Sequence, residues 1–196
     1  MSKQGFYKDV SMKDKKDLVR CFIALELSRE AINSIKEVQN IIKKKNLFYG
    51  KFTEPENLHL TLKFLGEIDE KKIEEVRERL ENVKKEEFEA YIDGIGVFSQ
   101  KFLRVLWVKL NGKGVLFLQE KIDKVLEGLF EKEDRFMSHI TIARIKKVVD
   151  KKIFLDYIKK MKLKKIKFRV KDFVLKKSEL TRHGPNYEDI ERYGLM

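Results

Sequence analysis

One four-residue pattern occurs twice in this chain and restricts its fold more than any other feature. His59-Leu60-Thr61-Leu62 returns 80 positions later as His139-Ile140-Thr141-Ile142, and the two copies hold two of the three histidines. Each reads His, apolar, Thr, apolar. That is the alternation of a half-buried strand, because successive side chains of an extended chain point to opposite faces. His and Thr therefore share one face, while Leu60, Leu62, Ile140 and Ile142 turn toward a core. Two such strands side by side would bring two imidazoles and two hydroxyls to one cleft. The plainer reading is two half-buried strands that carry His and Thr by chance. Agreement in residue type, order and flanking pattern, twice over, weighs against it.

The segments around the tetrads suit a duplicated fold. Arg20 to Leu27 is a strand-length apolar run, followed by Ser28 as a helix N-cap and Glu30 in the first turn. Ala31, Ile32, Ile35, Val38, Ile41 and Ile42 then recur at helical spacing up to Lys43-Lys44-Lys45. The first motif strand is expected over 58–66, ending at Gly66, and Asp69 is expected to cap a second helix. Strands are expected at 88–98 and 102–110, with a turn at Asn111-Gly112 and a third helix beyond. The second motif strand is expected over 136–145, with Asp150 capping a fourth helix. Residues 166–180 alternate like a pair of antiparallel strands, and Tyr187 to Tyr193 adds an edge. Gly94-Ile95-Gly96 reads as a bulge. The expected fold is α+β and bilobal: two antiparallel or mixed sheets flank a central cleft, with helices on the outer faces. Residues 1–18, polar and lysine-rich, are expected to form a flexible arm, and 19–196 a single bilobal catalytic domain.

Charge points to the partner. The chain has 44 basic and 32 acidic residues in 196, a net charge of +12. That excess favours an anionic partner, nucleic acid first. Lys and Glu enrichment is also the surface habit of hyperthermophile proteins, so only the unpaired part of the charge bears on RNA. No apolar stretch reaches membrane-spanning length and the first residues lack a signal-peptide core, so no membrane partner and a cytoplasmic location are expected. The single cysteine, Cys21, reads as a buried thiol. A monomer is expected.

Two histidines near their ordinary pKa of ~6.5 can act as base and acid around neutral pH. In-line hydrolysis of a phosphodiester requires that pair, one group to deprotonate water and one to protonate the departing oxygen. Thr61 and Thr141 would donate hydrogen bonds to the non-bridging oxygens. Arg144 carries a permanent charge suited to phosphate, yet strict alternation puts it on the face of Ile140 and Ile142, so it reaches the cleft only if the strand bends. Lys63 shares the His59 face and is a further candidate, against the plainer role of a solvated strand-end lysine. A metal site would need a third or fourth ligand, and the tetrads contain no carboxylate; neither metal nor cofactor is expected. His183, before Gly184-Pro185, reads as a surface histidine in a turn.

The chain also resembles the LigT-like family of RNA 2′,3′-cyclic phosphodiesterases, also called 2′-5′ RNA ligases, within the two-histidine phosphoesterases. The resemblance rests on residues 20–27 (RCFIALEL), 57–67 (NLHLTLKFLGE), Leu106-Trp107-Val108, 136–144 (FMSHITIAR), Ser178-Glu179-Leu180, Gly184-Pro185 and Tyr187. It covers roughly residues 19–193. It implies metal-independent opening of an RNA-terminal 2′,3′-cyclic phosphate to a 2′-phosphate, with His59 and His139 as the catalytic pair, His59 as acid and His139 as base. It also implies Thr61, Thr141 and Arg144 as phosphate ligands. Ser138 departs from the family's more frequent proline. The alternatives are a 2′-5′ RNA ligase using the same cleft and a non-catalytic RNA-binding protein of the same fold.

Overall fold

Each element forms where its local chemistry directs, and the pairing of the strands then builds the cleft. The computed structural model describes residues 18–182 and 184–196, so the arm at 1–17 and His183 lie outside the described residues. The apolar run is β1 (Val19–Glu26) and leads into α1 (Arg29–Lys44), whose first turn is capped by the Ser28 hydroxyl accepting from the Ala31 amide. A short β2 (Phe48–Phe52) and a 3-10 turn (Pro55–Asn57) precede β3 (His59–Ile68). Asp69 caps α2 (Glu70–Leu80). Next come β4 (Phe88–Val97), β5 (Val105–Asn111), α3 (Lys113–Val125) and β6 (His139–Val148). Asp150 caps α4 (Lys151–Lys160), and β7 (Ile166–Val170), β8 (Asp172–Thr181) and β9 (Gly184–Gly194) complete the chain.

The strands pair antiparallel in the order β7-β4-β5-β6-β3-β1-β8-β9, with β2 also on β6. The α+β expectation holds, but the two expected sheets are the halves of one continuous nine-stranded sheet. The halves β7-β4-β5-β6 and β3-β1-β8-β9 meet at a single ladder pair, Leu60↔Ile140. Hydrogen bonding is thus continuous, but the halves diverge from that point and leave a cleft between them.

The helices cross over between halves. Gln39 of α1, which follows the first strand of one half, donates to the Ile142 carbonyl of β6 in the other half at 2.9 Å. Reciprocally, Asp123 of α3 pairs with Lys63 of β3. The helix cores keep the spacing of the tetrads: Ile35, Val38, Gln39 and Ile42 are buried in α1, and Val115, Leu118, Gln119 and Ile122 in α3, each 80 positions on. Burying these apolar stripes supplies most of the stability of such an α-on-β layer.

Several expected boundaries move. The first motif strand runs past Gly66, at φ +76°, to Ile68, because an irregularity in the β1 ladder absorbs the glycine. The second starts at His139 and runs to Val148. Asn111-Gly112 ends β5 and leads directly into the expected third helix: Gly112 is the N-cap of α3 at φ +144°, where a Cβ would lie 2.9 Å from the Glu89 carbonyl. β7 and β8 do not pair with each other. β7 joins β4 at one end of the sheet, and β8 joins β1 and β9 at the other. Gly94-Ile95-Gly96 does mark an irregularity between β4 and β5. Cys21 is buried, and burial pushes its thiol up to about 11, so it is unreactive at neutral pH. No described helix is long and apolar enough to cross a membrane.

Candidate active site

The pairing that joins the halves also builds the site. An antiparallel register centred on Leu60↔Ile140 sets His59 across from Thr141 and Thr61 across from His139. The tetrads are then related by a local two-fold axis, with the histidines on diagonal positions about 7–8 Å apart, room for one phosphate between them. All four side chains line one cleft of about 730 Å³. The hydrophobic members point away from it: Leu60, Leu62, Ile140 and Ile142 are each at most 1% exposed.

Both imidazoles are held alike. His59 Nδ1 lies 2.9 Å from the Asn57 carbonyl, and His139 Nδ1 lies 2.7 Å from the Met137 carbonyl, in each case two residues upstream. A carbonyl only accepts, so each Nδ1 carries a proton and Nε2 is left as the ring nitrogen that can exchange one. His59 Nε2 in turn accepts from the Thr61 hydroxyl at 3.1 Å. The carbonyls are themselves secured. Asn57 Nδ2 donates to the Pro185 carbonyl across the cleft mouth at 3.1 Å. Ser138, beside the second anchor, donates to the Leu110 carbonyl, a tie that proline could not make.

The environments of the two histidines differ. His59 packs between Phe22 (ring centroids 4.9 Å apart) and Tyr187 (5.2 Å), whereas His139 meets Phe98 edge-on at 4.7 Å. Burial lowers the His59 pKa to about 4, the Asn57 carbonyl opposing and the Lys176 charge assisting. In the free protein His59 is therefore neutral at pH 7. To serve as the acid it must gain a proton as the phosphate anion enters, since an adjacent negative charge favours the imidazolium. NMR titration should show His59 protonating well below 6.5 in the free protein and moving upward with a 2′-phosphorylated nucleotide bound; a ligand-independent value near 6.5 would contradict this. The linked effect on folding has a definite sign. The unfolded chain binds this proton more readily, so the stability contribution is complete above ~6.5 and is lost as pH falls toward 4.

Arg144 and Lys63 exchange their expected places. In β6 the β5 partners run Trp107↔Thr141 and Leu106↔Ala143, so Ile142 is an extra residue in the ladder. The resulting bulge puts Ile142 and Ala143 both in the core and returns Arg144 to the histidine face, where it lines the cleft. Its charge reaches across the cleft: the Tyr187 phenol is pushed up by burial and pulled back by Arg144 and Arg20. In β3 the equivalent bulge falls at Leu62 and removes Lys63 from the cleft. Lys63 is 5% exposed, pairs with Asp123 and donates to the Glu131 carbonyl at 2.7 Å. Its candidacy as a phosphate contact is therefore overturned. Phe64 takes the position equivalent to Arg144, 80 residues earlier, and lines the cleft.

Arg20, Phe22, Asn57, Phe98, Ser178 and Tyr187 also line the cleft and were not among the expected site residues. Arg20 and Phe22 sit in a run that reads only as core strand. Tyr187 lies 128 residues from His59, a separation closed by the successive pairings β3–β1, β1–β8 and β8–β9. Among the described residues the cleft lining contains one carboxylate, Glu54, and it lies 4.0 Å from Lys51.

The family model described as LigT like Phosphoesterase matches residues 25–107 and 112–187. A Methanocaldococcus jannaschii protein named RNA 2′,3′-cyclic phosphodiesterase is 33% identical over 89% of this chain and 100% of its own. An Archaeoglobus fulgidus protein of the same name is 34% identical, over 88% and 98%. A Thermus thermophilus crystal structure superposes with a TM-score of 0.75 at 28% identity, covering 90% of this chain and 97% of that one. Escherichia coli LigT shares the fold, with a TM-score of 0.73 at 21% identity over 91% and 98%.

Proposed function

This chain belongs to the LigT-like phosphoesterases, and on that premise we propose that it hydrolyses RNA-terminal 2′,3′-cyclic phosphates to 2′-phosphates. The observation that carries the reading is the two-fold pair of His-x-Thr units, each with its Nδ1 tied to a carbonyl and its Nε2 turned to the same cleft. One Nε2 removes a proton from water as the water oxygen attacks phosphorus. The bond to the ribose O3′ breaks on the opposite side, and the other imidazolium gives that oxygen its proton. The products are a 2′-phosphate and a free 3′-hydroxyl. Thr61 and Thr141 donate to the non-bridging oxygens, and Arg144 offsets charge that grows on them in the transition state. No step requires a metal, and a lining with one carboxylate among its described residues, beside a lysine, is a poor oxygen-ligand set for a hard cation.

The test is incubation with an RNA ending in a 2′,3′-cyclic phosphate, with and without EDTA, followed by identification of the product ends. We expect full turnover in EDTA and a 2′-phosphate product. Activity lost in EDTA and restored by zinc would overturn the mechanism, and a 3′-phosphate product would overturn the regiochemistry alone.

A further inference from the structure

A second concavity opens beside the cleft, and its position suits the RNA strand that would carry the cyclic phosphate. It measures about 420 Å³, lies between the C-terminal end of α1 and β2, and shares Lys51, Phe52 and Glu54 with the cleft lining. The two hollows are therefore contiguous across β2. A strand whose 3′ terminus is seated between His59 and His139 must leave the cleft somewhere, and this is a continuous exit.

The exit has the two properties that bind single-stranded nucleic acid without reading its sequence, a cationic path and an exposed ring. On β2, Phe48 and Phe52 pack against the core with their rings tilted and their centroids 5.3 Å apart, so Tyr49 and Lys51 between them occupy the opposite face. Tyr49 is 66% exposed, a large apolar ring left in solvent beside a groove. In the β2–β6 ladder Lys51 stands opposite Arg144, and Tyr49 stands opposite Lys147. A stripe of Arg144, Lys51, Tyr49 and Lys147 thus runs outward from the phosphate position. Lys43, exposed at the end of α1, lines the groove from the other side. Two strand residues span about 7 Å, the reach of one extended nucleotide.

We infer that the β2–α1 groove is a subsite for the nucleotide preceding the cyclic-phosphate end of a single-stranded RNA, with Tyr49 as its stacking platform and Lys43 and Lys147 near its phosphates. The inference rests on the phosphodiesterase reading above. It makes the protein prefer a polymer end to a free cyclic mononucleotide, because only a polymer fills both hollows.

The experiment compares a 2′,3′-cyclic mononucleotide with a short RNA of the same terminal base, using wild type, Tyr49→Ala and Tyr49→Phe. Base–aromatic stacking predicts that Tyr49→Ala lowers kcat/KM on the oligonucleotide by about 5- to 100-fold. The mononucleotide value should stay within about two-fold and Tyr49→Phe should restore the oligonucleotide value. Equal loss on both substrates, or no loss on either, would overturn the subsite. Affinity for the 2′-phosphorylated product strand gives a second readout that needs no turnover. If wild type opens neither substrate the phosphodiesterase reading fails, and the subsite then stands or falls on whether Tyr49→Ala weakens binding of that strand.

Discussion

His59→Ala and His139→Ala should each lower kcat on a cyclic-phosphate substrate by about 10²- to 10⁴-fold, the usual worth of one positioned proton-transfer group. The double variant should be far less than additive, because removing either group already disables the pair. Both single variants should remain folded: each imidazole lies on the cleft face, and the core contacts come from Leu60, Leu62, Ile140 and Ile142. Thr61→Val and Thr141→Val remove one charge-assisted hydrogen bond each, about 1.5 to 3 kcal/mol in the transition state. Thr61 carries a second duty in the free protein, where its single hydroxyl proton is turned to His59 Nε2 until a phosphate oxygen takes that nitrogen's place as acceptor. Thr61→Val should therefore also move the limb of the pH–rate profile that belongs to His59, while Thr141→Val should leave that limb in place. Steady-state kinetics from pH 4 to 9 would check both. Near wild-type turnover in either histidine variant would sink the two-histidine mechanism.

What was legible in the sequence was periodic, and what was hidden depended on strand partners. The inward and outward faces of both tetrads follow from a period of two, and the caps at Ser28, Asp69 and Asp150 follow from one side chain and the amide three residues on. The reversal of Lys63 and Arg144 could not be read locally. A bulge exists only relative to a neighbouring strand, and the paired residues lie far upstream of each motif, Ala24 opposite Thr61 and Trp107 opposite Thr141. β2 is hidden for a related reason: Phe48-Tyr49-Gly50-Lys51-Phe52 is short, with glycine at its centre, and becomes a strand only through pairing with β6. β7 and β8 alternate consecutively and read as partners, yet the sheet places them at opposite ends. The repeat is legible as a duplicated order of helices and motif strands, and the structure adds that Gln39 and Gln119, 80 residues apart, are both buried.

Lys63 leads to the largest stability effect expected outside the hydrophobic core. Its ammonium is buried against the Asp123 carboxylate, whose other oxygen accepts from Gln119 Nε2 at 2.6 Å and from the Glu133 amide at 3.2 Å. This cluster ties the first motif strand to α3 and to the loop at Glu131–Glu133, six residues ahead of His139. Removing one partner of a buried ion pair strands the other charge, at a cost of about 3–5 kcal/mol. The two single variants should differ. Asp123→Leu leaves the Lys63 ammonium with only the Glu131 carbonyl, whereas Lys63→Met leaves Asp123 with two donors, so Asp123→Leu should lie at the upper end. The double variant Lys63→Met/Asp123→Leu removes both charges and should recover much of the loss, because apolar replacements of similar volume need no desolvation of an ion. Urea unfolding at pH 7 would measure all three. A cost below about 1 kcal/mol in both singles would mean the pair is solvated in practice. The kinetics of Lys63→Met decide between its two roles. A variant with unchanged stability but a kcat reduced a hundred-fold would return Lys63 to the phosphate. The buried geometry instead requires lower stability, with turnover per folded molecule largely retained.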